Sequence, residues 1–297
     1  MTTAFCPAHI TGFFKAELDK ENSKELGSLG AGFSIQKGVK TTVTIRNKTK
    51  HDISNFTIKV NGFESGDMRV SEVVLSKFPT KEKFVNIIHQ IDVPVGYGFG
   101  SSAAVALSLA IALNDALECK LSKIKVAQIA HDVEIECKTG LGDVLASYHG
   151  GFEIRDKPGA PGIGHVQKIT LNKISIIMIC FSPISTSKFI KERLPQINGL
   201  GGKMVNKLLE SKNYEHFQEM SLEFAKYVDV MTPRMQKVVN ELSKNNIKCG
   251  IALFGETIFS MIPKEKENKV LEILQKYSDG IIIKSEVDNN GARVLHN

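Results

Sequence analysis

Ahead of an alanine- and leucine-rich run, the sequence reads Pro94-Val95-Gly96-Tyr97-Gly98-Phe99-Gly100-Ser101-Ser102-Ala103-Ala104. Alternating glycines allow the backbone to adopt positive φ angles and to lie close to a bulky group. Two serines then stand where a helix begins, because the run after them is a strong helix former. A glycine loop that leads into a helix N-terminus presents free backbone N–H groups, an arrangement that typically binds phosphate.

Two familiar phosphate loops do not fit this stretch. A Walker A loop requires Lys after its last glycine, and Gly100 is followed by Ser101. A Rossmann fingerprint has the spacing G-x-G-x-x-G near the start of its fold, whereas the spacing here is G-x-G-x-G. A tight turn with close helix packing is the remaining alternative, but it does not need two serine hydroxyls. We therefore predict that the nucleotide is bound by Pro94, Gly96, Gly98, Phe99, Gly100, Ser101 and Ser102.

The same stretch resembles the phosphate loop of the GHMP kinases, which include galactokinase, homoserine kinase and mevalonate kinase. Within that superfamily the chain is most similar to the archaeal pantoate kinases, from one terminus to the other. The segments that carry this narrower resemblance are AFCPAHITGFF (4–14), GSLGAGF (27–33), GLGDV (140–144), RDKPGAP (155–161) and GARVL (291–295). The phosphate loop alone identifies only the superfamily.

The resemblance implies an α+β chain with the two-domain GHMP kinase fold. A ribosomal-protein-like N-terminal domain would bind the nucleotide over residues 1–167, and a ferredoxin-like C-terminal domain would follow over 168–297. The active site would lie between them. Residue patterns agree with a boundary after the Pro/Gly-rich segment 157–164, since strands and helices are expected on both sides of it.

Local patterns predict individual elements. Residues 41–46 and 56–60 alternate apolar and polar side chains with a period of two, which is typical of half-buried strands. Ser122 is placed to cap a helix over 123–138. Less regular patterns predict a turn at 7–12 and a strand at 33–35, after a glycine cluster at 27–32. The segments 70–78 and 84–93 could each be a helix or a strand. A flexible break is predicted at 199–202, between helices at 188–193 and 203–211.

Phosphoryl transfer also needs a metal ion to shield charge. Ser102 offers a hydroxyl at the end of the loop, and Glu134 lies on the apolar-leaning side of its predicted helix, where a solvated acid is unexpected. A salt bridge between Glu134 and Lys138, four residues apart on one helix, is the alternative. The resemblance implies ATP as the phosphoryl donor and Mg²⁺ held by Ser102 and Glu134.

A third requirement is a group that orients or deprotonates the acceptor hydroxyl. Asp143 follows the glycine turn at 140–142, where capping the next helix is its other expected role. The resemblance implies that Asp143 is the catalytic base. Together with Ser102 and Glu134 it completes the predicted catalytic set.

The resemblance implies pantoate as the acceptor, phosphorylated on its terminal hydroxyl for coenzyme A synthesis. Pantoate carries a carboxylate and two hydroxyls, so its site needs a cation and short donors. The planar guanidinium of Arg155 suits a carboxylate, although a surface ion pair is the ordinary role of an arginine. Ser28, His131 and His9 are the other predicted substrate contacts. His9 stands where several GHMP kinases carry a lysine, and fixing a turn is its alternative role.

Two other functions remain open at this stage. A GHMP kinase for a mevalonate- or homoserine-like acceptor would share Ser102, Glu134 and Asp143 but would not need Arg155 and His131. A nucleic-acid-binding module is suggested by the sequence pI of about 8.9. Against it, the chain has no tryptophan, and its lysine-rich patches are interleaved with acids, which is typical of a solvated surface.

Composition bounds the class of protein. The chain has 297 residues, 42% of them hydrophobic, and a net charge of +6. Its five cysteines show no C-x-x-C spacing, so we expect free thiols in a reducing cytosol. The N-terminus lacks the pattern of a signal peptide, and the apolar runs are too short to span a bilayer. We expect a cytoplasmic enzyme that binds neither nucleic acid nor membrane, and the resemblance implies a homodimer.

Overall fold

The computed structural model describes residues 1–63, 67–184 and 186–296. Strands and helices are mixed along these residues, which confirms the α+β prediction. The strands are β1 (Thr2–Glu17), β2 (Gly27–Asn47), β3 (Phe56–Gly62), β4 (Lys83–Ile91), β5 (Phe152–Lys157), β6 (His165–Ile169), β7 (Ile174–Pro183), β8 (Gly250–Ala252), β9 (Gly255–Pro263), β10 (Ile281–Glu286) and β11 (Arg293–Leu295). The α-helices are α1 (Arg69–Ser76), α2 (Ser101–Ala116), α3 (Lys123–Cys137), α4 (Asp143–His149), α5 (Thr186–Ser211), α6 (Tyr214–Tyr227), α7 (Pro233–Lys244) and α8 (Glu267–Leu274).

The described strands form two sheets. A seven-stranded sheet has the order β11-β1-β2-β4-β3, with β5 paired to β2 and β6 paired to β5. A four-stranded sheet has the order β10-β7-β9-β8. Aromatic side chains join the two sheets, since the rings of Phe33 and Phe259 lie 5.0 Å apart, and Phe217 of α6 lies 5.1 Å from Phe152 and 5.8 Å from Phe259. The buried apolar residues therefore make one continuous core.

The first sheet extends past the predicted division at residue 167. Strand β6 crosses that position and pairs with β5, so the division falls inside a strand of the first sheet. Strand β11, near the C-terminus, returns to pair with β1. The predicted second domain, residues 168–297, therefore contributes its last strand to the first sheet.

The turn predicted at 7–12 is wrong, because these residues continue the long strand β1. The pairing of β1 with β2 is irregular between Pro7 and Ala8 and again between Thr11 and Phe13. Proline has no N–H for a sheet ladder, so it is accommodated at such an irregularity rather than ending the strand. Almost all of β1 is buried, and this burial outweighs the local turn signal.

The glycine cluster at 27–32 lies inside β2 rather than in a loop before it. A Cβ on Gly30 would lie 2.6 Å from Nη2 of Arg155, and one on Gly32 would lie 2.4 Å from Nε2 of His9. These glycines therefore leave room for two large buried side chains. The two undecided segments are a helix at Arg69–Ser76 and a strand at Lys83–Ile91.

The flexible break predicted at 199–202 is also wrong, because α5 runs through it. A Cβ on Gly201 would lie 1.9 Å from the carbonyl oxygen of Phe14, so the helix contacts β1 too closely for any side chain. In contrast, the nearest atom to a Cβ on Gly199 is the Tyr227 hydroxyl at 3.5 Å. Gly201 therefore permits close packing of α5 on β1, whereas Gly199 has space for a methyl group.

This contrast predicts opposite effects from two alanine substitutions in one helix. Gly199→Ala should stabilise the protein by about 0.5–1 kcal/mol, because alanine loses less backbone entropy in a helix. Gly201→Ala should destabilise it by about 2 kcal/mol, because the methyl group overlaps β1. Thermal and urea unfolding of the two variants measures both effects. Equal destabilisation would contradict the packing of α5 on β1.

Three of the five cysteines, Cys6, Cys180 and Cys249, are buried, and all five are free thiols. Within the described ranges, no helix combines the length and the apolar character needed to cross a membrane.

Candidate active site

The predicted phosphate loop has the expected backbone. Gly96, Gly98 and Gly100 have φ angles of +85°, +86° and +55°, in the region that favours glycine. Helix α2 begins at Ser101, and no side chain caps it. Its first N–H groups are therefore available to an anion, and Ser101 and Ser102 both line the cavity in front of them.

The loop is braced by the second sheet and its connections. The hydroxyl of Thr257 donates to the carbonyl of Tyr97 at 2.8 Å, and the N–H of Ile184 donates to the carbonyl of Gly96 at 3.0 Å. A Cβ on Gly255 would lie 2.1 Å from the Tyr97 carbonyl oxygen, so the strand approaches the loop closely there. The start of β9 therefore supports the loop from the second sheet.

A cavity of about 280 Å³ lies between the loop, the α3–α4 connection and the second sheet. Most of the predicted nucleotide-binding residues line it, but Pro94 is buried outside the lining. Phe99 lines the cavity although its side chain is only 1% exposed, and its carbonyl accepts from the N–H of His9 at 3.1 Å. Pro94 and Phe99 thus shape the loop from behind.

The predicted metal pair is in contact. The Ser102 hydroxyl donates to Oε2 of Glu134 at 3.2 Å, and the Thr139 hydroxyl donates to Oε1 at 2.5 Å. A Cβ on Gly140 would lie 2.3 Å from Oε2, so this glycine makes room for the carboxylate. Among the described residues Glu134 forms no salt bridge, and Lys138 instead lines the cavity. The alternative of a helix salt bridge is therefore wrong.

The environment of Glu134 fits a divalent cation. Its side chain is 2% exposed, and burial raises its pKa to about 7, with the negative charge of Asp143 adding to the effect. Hydrogen bonds from Thr139 and Ser102 oppose this shift. A buried carboxylate without a neighbouring cation is costly, and carboxylate and hydroxyl oxygens are ligands that Mg²⁺ prefers. The donor set at the foot of the loop is therefore suited to magnesium.

This raised pKa predicts a pH dependence of stability without metal. The folded protein holds the Glu134 proton up to about pH 7, whereas the unfolded chain releases it near the ordinary glutamate pKa of 4.5. Raising the pH from 5 to 8 should therefore destabilise the fold, by up to about 3 kcal/mol from this group alone. In thermal unfolding with EDTA, the Tm of Glu134→Gln should fall less steeply with rising pH than the Tm of wild type. Parallel curves of Tm against pH would contradict the raised pKa of Glu134.

Asp143 is the first residue of α4, and its side chain, 24% exposed, lines the cavity. No side chain caps the helix, so Asp143 is not an N-cap, and its Oδ1 instead lies 2.8 Å from Nδ1 of His9. Burial opposes ionisation of Asp143, but the hydrogen bond from His9 and the charges of His9 and Arg155 outweigh it and lower the pKa. The carboxylate is therefore ionised at neutral pH.

The four predicted substrate residues are placed differently. Ser28 lines the cavity. Arg155 is 1% exposed and lies behind it, with Nη1 donating to Oε1 of Glu153 at 2.5 Å, so it is not in a surface ion pair. His9 is fully buried behind Asp143. His131 is 2% exposed, and its Nε2 lies 3.2 Å from the carbonyl of Ser23, outside the cavity lining.

The chain is similar to known proteins over most of its length. A family model described as the GHMP kinases N terminal domain matches residues 68–151. A pantoate kinase of Methanocaldococcus jannaschii is 33% identical over 276 residues, which cover 91% of this chain and 96% of that protein. The chain belongs to the pantoate kinase family.

Two further comparisons extend over nearly the whole chain. The pantoate kinase of Thermococcus kodakarensis is 29% identical over 275 residues, covering 91% of each chain. A solved structure described as a phosphotransferase related to the CoA biosynthesis pathway has a TM-score of 0.85 at 28% identity, covering 98% of this chain and 97% of that one. As a pantoate kinase family member, the protein is a small-molecule kinase with the two-domain GHMP kinase fold, and the family implies ATP use.

Sequence reasoning did not identify several site residues of this pantoate kinase family member. Thr139 contacts Glu134, and Glu153 contacts both His9 and Arg155. Leu253 and Phe254 line the cavity from the second sheet. Alternation along β5 places Glu153 and Arg155 on one face, which could have linked them, but no local pattern links either to His9.

Proposed function

We propose that this protein transfers the γ-phosphoryl group of ATP to the terminal hydroxyl of pantoate, forming 4-phosphopantoate. The observation that carries the proposal is the closeness of Asp143 to the phosphate loop. A Cβ on Gly100 would lie only 3.3 Å from Oδ1 of Asp143. A hydroxyl bound to Asp143 would therefore lie beside phosphates bound to the loop, as in-line transfer requires.

Ser102 and Glu134 would hold Mg²⁺ at the foot of the loop. When bound, the ion shields the negative charge of the phosphate oxygens. Thr139 orients the Glu134 carboxylate through its hydroxyl, and Gly140 leaves space for it. Glu134 must be ionised to serve as a ligand, so metal affinity should increase as the pH rises through about 7.

Asp143 would accept a hydrogen bond from the terminal hydroxyl of pantoate and take its proton as the phosphoryl group is transferred. Its lowered pKa makes it a weak base. In phosphoryl transfer, the bond between the γ-phosphorus and the leaving oxygen of ADP is largely broken before the acceptor hydroxyl loses its proton. The orientation of Asp143 therefore matters more than its basicity. Lys138, which lines the same cavity, adds positive charge there.

The acceptor would be bound between Ser28 and an apolar wall. A Cβ on Gly142 would lie 2.4 Å from Oγ of Ser28 and 2.9 Å from Nε of Arg155. That Nε is buried without a hydrogen-bond partner, so the Arg155 cation lies behind Ser28 with unused donor capacity toward the pantoate carboxylate. Phe14 and Leu253 also line the cavity and offer apolar surface to the two methyl groups of pantoate.

His131 would act indirectly in this site. Its contact with the Ser23 carbonyl holds the short 3-10 helix Ser23–Glu25, which leads into β2 and Ser28. We therefore propose that His131 and His9 position the acceptor site rather than contact pantoate, in contrast to the substrate contacts expected from the resemblance.

An acceptor panel tests the proposed function. ADP release with Mg²⁺-ATP is measured against pantoate, mevalonate, homoserine, galactose and no acceptor. We expect turnover with pantoate at least about 100-fold above the others, because galactose lacks the carboxylate, homoserine lacks the two methyl groups, and mevalonate has a longer chain between its carboxylate and its terminal hydroxyl. Turnover with homoserine or mevalonate alone would overturn the choice of acceptor and leave the kinase assignment.

We further infer that the protein acts in the cytoplasm and binds a small molecule rather than nucleic acid or membrane. A homodimer is proposed from the family resemblance. Light scattering at several protein concentrations tests it, and a constant mass of 32.7 kDa would exclude a dimer.

A further inference from the structure

Four ionisable side chains form one buried chain behind the cavity. Nδ1 of His9 lies 2.8 Å from Oδ1 of Asp143, and its Nε2 lies 2.9 Å from Oε1 of Glu153. The same Oε1 accepts from Nη1 of Arg155 at 2.5 Å. His9, Glu153 and Arg155 are each no more than 1% exposed, so only Asp143 reaches the cavity. We call this set the charge chain.

The geometry determines the protonation of His9. An ionised carboxylate has no proton to donate, so each ring nitrogen that faces one must itself carry a proton. With Asp143 and Glu153 ionised, His9 is therefore an imidazolium cation. The alternating charges of Asp143, His9, Glu153 and Arg155 then sum to zero, which is the condition under which such groups can be buried together.

Other parts of the fold make room for the charge chain. Gly32 lies against Nε2 of His9, and Gly30 lies against Nη2 of Arg155, so β2 has no side chain at either position. Thr11 adds further polar contacts, since its hydroxyl lies 3.4 Å from Nδ1 of His9 and 3.5 Å from Nη2 of Arg155. Main-chain packing on both sides therefore holds the imidazole in one orientation.

We propose that His9 is a positioning residue: held as an imidazolium between Asp143 and Glu153, it keeps the Asp143 carboxylate ionised and aimed at the acceptor hydroxyl, while Arg155 neutralises Glu153. This inference rests on the proposed function for the identity of the hydroxyl. It assigns His9 a role through Asp143, and it gives Glu153 a role that is not implied by any motif in the sequence.

The groups that face the charge chain are few, so its titration should be simple to interpret. His9 is faced by Asp143 from α4, by Glu153 and Arg155 from β5, and by Thr11 from its own strand; Nη1 of Arg155 lies 3.4 Å from Nε2 of His9. Although burial opposes its charge, the hydrogen bonds that His9 donates to the two carboxylates raise its pKa. Asp143 is also influenced by Arg155, and it in turn acts on Glu134.

Two readouts test the proposal, and only one of them needs activity. The first is ¹⁵N NMR of histidine-labelled protein, with the His9 signals assigned by their loss in His9→Gln. We expect both ring nitrogens to stay protonated at least one pH unit above the ordinary histidine range. In Glu153→Gln the His9 proton should be lost at lower pH. A neutral His9 ring at pH 7 in wild type would overturn the proposal.

The second readout is the pH profile of kcat. His9→Gln should lower kcat at pH 7 by about 10–100-fold and move the acid limb upward by about one pH unit or more, because Asp143 is no longer held ionised. KM for ATP should change by less than about twofold, because the loop is untouched. His9→Lys, which restores a positive charge, should recover part of kcat, whereas an unshifted acid limb in His9→Gln would overturn the proposal.

His89→Gln is the matched control for loss of a buried histidine. His89 lies in the core of the first sheet, with Nδ1 2.8 Å from the hydroxyl of Thr41 and Nε2 3.0 Å from that of Ser71. This variant should lose thermal stability without moving the acid limb. If wild type does not turn over pantoate but His9 stays doubly protonated, the proposed function fails and the charge chain stands.

Discussion

Asp143→Asn should lower kcat with pantoate by about a thousandfold, within the range that loss of a general base produces. The asparagine amide oxygen can still accept from His9, so the side chain keeps its place while losing its charge and its ability to take a proton. KM for ATP should stay within about twofold of wild type, because the loop 94–102 is unchanged. Steady-state kinetics with pantoate and ATP varied separately measures both quantities.

Asp229→Asn is a suitable control for this experiment. Asp229 is exposed and pairs with Arg193 on the surface, and neither residue lines the cavity. Its loss should leave kcat within about twofold of wild type, since surface ion pairs contribute little. A kcat for Asp143→Asn that is likewise within a few-fold of wild type would remove Asp143 from the role of base.

Glu134→Gln should have the second largest effect. The amide is nearly the same shape as the carboxylate but carries no charge, so the Mg²⁺ concentration for half-maximal activity should rise by at least about tenfold. At saturating Mg²⁺, kcat should still fall by about 100-fold, because the ligand that fixes the ion against Ser102 is weakened. Activity titrated with Mg²⁺ at fixed ATP separates the two effects.

Glu136→Gln provides the control on the same helix. Glu136 is half exposed and pairs with Lys77, so it lies on the outer face of α3. Its Mg²⁺ titration should coincide with that of wild type. If the Glu134 and Glu136 variants have the same Mg²⁺ dependence, the metal is not held at Glu134.

The loop and the helix start that form the phosphate site were predictable because the residues that determine them are adjacent in the sequence. Positive φ at Gly96, Gly98 and Gly100 and a helix start at Ser101 follow from a loop whose energetics depend on its own residues. The cap formed by Ser122 is equally local, since its hydroxyl accepts from the N–H of Lys125 at 3.2 Å. The pairing of Glu134 with Ser102 needed the resemblance as well, because the two positions are on different helices.

The predictions that failed, a turn at 7–12 and a break at 199–202, were based on the residues of each segment alone. The conformation of both segments depends on contacts with residues far away in the sequence. Residues 7–12 and 199–202 contain proline or glycine, which favour turns, yet the first segment lies in a strand and the second in a helix. Strand β1 is buried, and Gly201 of α5 lies against Phe14 of that strand. Burial of a whole strand stabilises the fold by more free energy than the turn propensity of a few single residues can oppose.

From its residues and the family they resemble, this chain could be understood as an α+β kinase with a phosphate loop, a metal pair and a base. The partners of that base could not be foreseen, because His9 and Glu153 are 144 positions apart and meet only when β1, β2 and β5 pair. A buried charge is tolerated only where opposite charges surround it, and that condition is set by the packing of separate strands. The sequence therefore specifies the chemistry of each group, and the folded sheet determines which groups act together.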